Sequence, residues 1–89
     1  MELKVLLAIE LGDDTSDEQR EAFVRALGQK RWIRVKPLVH TWQASFRDDV
    51  SEERAVEMSR RDVAEAASEA GVSHYSAALH TGPSLPVVF

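Results

Sequence analysis

Eighty-nine residues, 44% hydrophobic and 29% charged, predict one globular domain with a thin core, and exclude a disordered chain or two domains. A formal net charge of −4 argues against non-specific attraction to nucleic acid over the whole surface. There is no cysteine, which removes disulfides, thiolate zinc sites and cysteine nucleophiles.

Leu3 to Leu11 alternates. Leu3, Val5, Leu7, Ile9 and Leu11 share one face, and Glu2, Lys4, Leu6, Ala8 and Glu10 the other, so the period is two and the segment is a strand. Its second face is mixed rather than polar, which suits a central strand. The apolar run inside it, Val5 to Ile9, is too short for a secretory signal, and nothing reaches transmembrane length, so the expected location is cytoplasmic. Gly12-Asp13-Asp14 breaks the strand. Thr15 or Ser16 caps a helix, with Glu18 or Gln19 in capping-box position and acids in the first turn. Phe23, Val24 and Leu27 form its apolar stripe, and Gly28 ends it.

Trp32 to Val35 reads as a second strand, and Pro37 as a turn or bulge. His40 to Phe46 reads as a third strand in hairpin with it, with His40, Trp42, Ala44 and Phe46 on one face. Ser51 caps a long second helix with a narrow stripe of Val56, Val63, Ala66, Ala67 and Ala70, ended by Gly71. Val72 to His80 reads as a fourth strand, with Tyr75, Ala77 and Leu79 facing the core. Thr81 to Pro86 is turn chemistry, and Val87, Val88 and Phe89 are an apolar end suited to a short fifth strand or a dimer interface.

The order βαββαβ predicts an α+β, ferredoxin-like sandwich over residues 1–82 with a tail at 83–89. Two helices cover one face of a four-stranded antiparallel sheet, and right-handed crossovers give the strand order 4-1-3-2.

That order gathers Glu10, Thr41 and His74 at one end of the open sheet face, with Asp13 and Asp14 just beyond. Glu10 and His74 are the candidate acid/base pair, and Glu10 with Asp13 the candidate ligands for Mg2+ or Mn2+. For Asp13 and Asp14 the simpler reading is helix N-terminal electrostatics. Lys30, Arg31, Arg34 and Lys36 interleave with Trp32 and Ile33 and could track a phosphate backbone of RNA or DNA. The simpler reading is an edge strand guarded by charge. Glu57 and Arg61 read as a surface pair.

Ala8-Ile9-Glu10-Leu11-Gly12-Asp13-Asp14, Leu27-Gly28 through Trp32, Thr41-Trp42-Gln43-Ala44-Ser45-Phe46 and Ser51-Glu52-Glu53 together resemble the small CRISPR-associated ferredoxin-fold family of metal-dependent nucleases and integration scaffolds, with its toxin–antitoxin ribonuclease relatives. The resemblance implies a homodimer acting on or beside nucleic acid. It implies an acid at the end of the first strand that binds metal across the dimer interface, a position held here by Glu10. It also implies a C-terminal strand that crosses to the partner, which Val87 to Phe89 would supply. Two other readings remain open on the residues. One is a non-enzymatic protein-binding module of inhibitor or antitoxin type, suggested by the acidic helix surface. The other is a dimeric α+β-barrel enzyme for a small molecule, built on the open face of Leu6, Ala8, Thr41, Ser76 and Ala78.

Overall fold

A computed structural model describes residues 2–36, 38 and 40–83. The elements follow in the order β1 (Leu3–Leu11), α1 (Asp17–Gly28), β2 (Ile33–Arg34), β3 (Thr41–Phe46), α2 (Glu52–Ala70) and β4 (Tyr75–Gly82). The expected turn at Pro37, the fifth strand and the interface residues Val87, Val88 and Phe89 lie outside the described residues.

The sheet is four-stranded in the order β2-β3-β1-β4, as the crossover argument requires. β1 is antiparallel to both neighbours. Its register runs from Leu3↔Phe46 to Ala8↔Thr41 on β3, and from Lys4↔Gly82 to Leu11↔Tyr75 on β4. Ile33↔Gln43 and Arg34↔Trp42 attach β2 to β3. This register puts Val5, Leu7 and Ile9 on the buried face with Trp42, Ala44 and Phe46. Phe23, Ala26 and Leu27 of α1, with Ala55, Val63, Ala66 and Ala67 of α2, close the core over them.

Each helix starts where its cap chemistry dictates. Ser16 accepts from the Gln19 backbone N–H at 3.1 Å, while the Gln19 side chain accepts from the Ser16 backbone N–H at 2.8 Å. Two otherwise orphaned donors are thereby satisfied. Ser51 accepts from the Arg54 N–H at 3.1 Å. Gly71 ends α2 in the left-handed region, at φ 74°, where a side chain would be strained.

Three departures from the sequence reading matter later. The buried stripe of α2 is Ala55, Ser59, Asp62, Val63, Ala66 and Ala67. Val56 and Ala70 are only half-buried at its margin. β4 begins at Tyr75 rather than Val72. The Val72 N–H is taken by the Ala67 carbonyl at 2.9 Å in the cap of α2, and its side chain joins the core. Finally, Tyr75 and Ala77 point to the helix side of the sheet but are not covered. Tyr75 is 39% exposed, and Ala77 is exposed as well. No helix among the described residues is long and apolar enough to cross a membrane.

Candidate functional site

Three places carry chemistry. The first is the end of the sheet where β1 enters α1 and α2 enters β4. The Gly12 N–H donates to the His74 carbonyl at 2.8 Å, and the Thr15 N–H donates to the Gly12 carbonyl at 3.0 Å. The two loops touch so closely that a Cβ on Gly12 would stand 2.9 Å from the His74 Cβ. Glycine is therefore demanded by approach, not by φ. The juxtaposition seats His74 Nδ1 2.9 Å from Asp14 Oδ2. Glu10, Asp13, Ser73, His74 and Ser76 line one shallow depression of about 520 Å3 beside this pair. Glu10 stands opposite Ser76 in the strand register, whereas Thr41 stands opposite Ala8, two residues further in.

The carboxylate that engages His74 is thus Asp14, which sequence reasoning assigned only to the helix terminus. The hydrogen bond from His74 holds the Asp14 carboxyl below its ordinary value, helped by the charge of His74 when protonated. A depressed carboxyl pKa means that the tie contributes above the ordinary aspartate range and is lost as pH falls through the lowered value. The Asp14 titration midpoint, followed by NMR, is expected below that of a free aspartate and should return toward it in His74→Ala. An unchanged midpoint would show that the contact does not persist in solution.

Among the described residues, no three His, Asp or Glu side chains converge to hold a metal ion. Glu10 and Asp13 share the depression, but two carboxylates of one chain are an incomplete shell for Mg2+ or Mn2+, which take oxygen-rich, near-octahedral surroundings.

The second place is the basic strip. Lys30 Nζ lies 3.2 Å from Glu65 and Arg31 Nε 2.9 Å from Asp62, both acids of α2. The Glu65 contact raises the Lys30 pKa. Arg31 also stacks 4.9 Å from the centre of the Phe46 ring, and Arg34 lies 5.7 Å from that of Trp42. Lys36 is exposed. The four cations therefore do not form one uncompensated row, since Lys30 and Arg31 are engaged by carboxylates. Trp32, which could have stacked a base, is buried, and its indole N–H donates to Asp62 at 3.0 Å. Asp62 is the residue that sequence reasoning missed: 7% exposed, it receives both Trp32 and Arg31. Glu57 pairs with Arg54 at 3.9 Å rather than with the expected Arg61.

The third place is β4. It is an edge strand spanning Tyr75–Gly82 and contains no Asp, Glu, Lys, Arg or Pro. The opposite edge, β2, is two residues long and set among Arg31, Arg34 and Lys36. A groove of about 650 Å3 runs along β4 on the helix side. Tyr75, Ala77 and Leu79 form one wall, and Val56, Arg60, Val63 and Ala64 of α2 the other. Arg61 also lines it. On the open side, Ala8, Thr41, Ser76 and Ala78 border only a shallow hollow, with Glu10 and His40 at one end. Comparison of the chain with protein-family models, with curated proteins and with solved structures found no match.

Proposed function

We propose that this chain is a protein-binding module that works by strand addition along β4. The supporting observation is the contrast between the two sheet edges. Exposed strand edges attract foreign strands, and proteins ordinarily blunt them with charge, proline, a bulge or brevity. β2 has brevity and basic neighbours. β4 is eight residues long and has no charged residue or proline, and an apolar groove lies beside it. Strand addition supplies main-chain hydrogen bonds from the edge, and such a groove receives alternate side chains of the incoming strand. Hydrogen exchange of isotope-labelled protein, compared between a dilute purified sample and cell lysate, tests this. Peptides covering 75–82 are expected to gain protection in lysate while those covering β2 do not. Equally fast exchange of 75–82 in lysate and in purified protein at every concentration would remove the reading.

A second reading is favoured by the Asp14–His74 contact beside Glu10. In it the chain is a homodimeric, nucleic-acid-associated protein of defence or toxin–antitoxin type, either an endoribonuclease or a silent relative. Asp14 would orient His74, and Glu10 would be its acid/base counterpart across the depression, which is the arrangement general acid–base cleavage needs. Labelled RNA and DNA, incubated with and without Mg2+ or Mn2+, report on it. Cleavage is expected to fall at least a hundredfold in both Glu10→Ala and His74→Ala, in keeping with typical acid–base contributions. No cleavage by the native chain, or cleavage unaffected by either substitution, dismisses the active site.

A further inference from the structure

Resting on the strand-addition reading, we infer that the strand which pairs with β4 belongs to another protein and is acidic. It carries an Asp or Glu opposite Ala77, with apolar side chains two residues to either side. The charge of the groove is the observation behind this. Its floor is neutral, since β4 has no Asp, Glu, Lys or Arg. Among the described residues, Arg60 and Arg61 are the only charged side chains that line it. Neither has a carboxylate partner among the described residues, whereas Lys4, Lys30, Arg31, Arg47 and Arg54 each have one, at 2.6 to 3.9 Å. In a chain of net charge −4, two unmatched cations beside an apolar groove make a local positive field, which low-dielectric walls concentrate.

The position of Arg60 gives the register. Arg60 stands one turn from Val56 on one side and from Ala64 on the other, so it belongs to the wall of α2 that faces β4. Thr81 Oγ1 donates to Glu52 Oε1 at 2.8 Å, which sets the end of β4 beside the start of α2. From Glu52 to Arg60 the helix rises about 12 Å, the length of about four strand residues, which brings Arg60 level with Ala77. Side chains directly opposite one another on paired strands share a face, so the residue opposite Ala77 on an added strand lies on the side of Arg60. Its neighbours two places away lie beside Tyr75 and Leu79, where apolar side chains fit. Those apolar contacts exclude water from the central ion pair and strengthen it. The same chemistry counts against two nearer occupants. Residues 84–89 follow β4 directly but contain no Asp or Glu, and β4 of a second copy contains none either, so each would leave both arginines unmatched.

Titration of the isotope-labelled full chain with synthetic peptides, followed by NMR, tests the inference. The probe is acetyl-Thr-Val-Thr-Glu-Thr-Val-Thr-amide, whose order reads the same in both directions and so serves parallel and antiparallel addition alike. Two companions carry Gln or Lys in place of the Glu. The Glu peptide is expected to shift the amides of 75–82 and to bind about tenfold more tightly than the Gln peptide, the gain of a charge-assisted hydrogen bond over a neutral one. It should bind about a hundredfold more tightly than the Lys peptide, which sets like charges together. Arg60→Glu, at an exposed position, is expected to reverse the order of the Glu and Lys peptides, and circular dichroism confirms that the variant folds. Three outcomes overturn the inference. Equal binding of all three peptides at β4 keeps strand addition but removes the acidic partner. A preference for Glu that survives Arg60→Glu combined with Arg61→Glu does the same. The third is binding by none of them. If 75–82 is then already protected from exchange in the dilute chain, the edge belongs to the chain's own end; if protection falls on dilution, it belongs to a second copy; if 75–82 is unprotected throughout, strand addition itself is lost.

Discussion

Asp62→Ala is expected to lower stability by about 2–4 kcal/mol, a large share of the roughly 5–10 kcal/mol available to a domain of this size. The carboxylate accepts the indole N–H of Trp32 at 3.0 Å and the Arg31 Nε at 2.9 Å. Trp32 is 2% exposed, so its donor loses its partner with no water to replace it. The Arg31 side chain is 35% exposed, and water compensates much of its half of the loss. Asp62→Asn keeps a neutral acceptor for Trp32 and should cost about half as much. Urea unfolding measures both, with the midpoint of Asp62→Ala falling by about 2 M at the slope usual for small proteins. A loss below about 1 kcal/mol would show that Trp32 is held by packing alone.

Leu27→Ala is expected to cost about 2–5 kcal/mol, the range for a fully buried leucine that leaves a cavity. Leu27 has no exposed surface and belongs to the cluster formed by α1, α2 and the inner face of the sheet. Its surroundings cannot readily collapse inward. α2 reaches this cluster through Ala55, Val63, Ala66 and Ala67, and three of these four side chains are too short to fill a gap. The cost should therefore fall in the upper half of the range, read as a shift of the denaturant midpoint at unchanged slope. A cost below about 1.5 kcal/mol would mean that the helices slide to close the void.

What could be read from the residues was whatever local periodicity controls. The alternation from Leu3 to Leu11 placed β1, and its position between β3 and β4 followed from the handedness of two crossovers. Ser16 with Gln19 and Ser51 with Gly71 marked the helix ends because caps are local chemistry. The phase of α2 was harder. Ser59 and Asp62 lie in the buried stripe but do not look apolar. Ser59 belongs there because its hydroxyl is spent on the Ala55 carbonyl at 2.7 Å, and Asp62 because Trp32 and Arg31 come to it from 30 and 31 residues away. A clue did exist, in the spacing of Ala55, Ser59, Asp62 and Ala66. The contact of His74 with Asp14 rather than with Glu10 or Asp13 depended on how closely two loops pass at Gly12, which no pattern along the chain expresses. The exposure of Tyr75 and Ala77 depended on where the helix pair settles laterally. Alternation says which way Tyr75 and Ala77 point, but not whether anything lies above them.

The unequal edges of this sheet bear on how far association can proceed. A sheet open on both sides adds neighbours without limit, and that is the route to fibres. Here one flank is a stub of two residues among basic side chains, and the other is eight residues long with no Asp, Glu, Lys or Arg. Were a strand added to the long flank by a copy of the chain, only stubs would remain at either end. Growth would then stop at a closed, finite particle. The same asymmetry makes β2 a safeguard of solubility: lengthening it, or stripping the charge around it, would open a second flank to added strands.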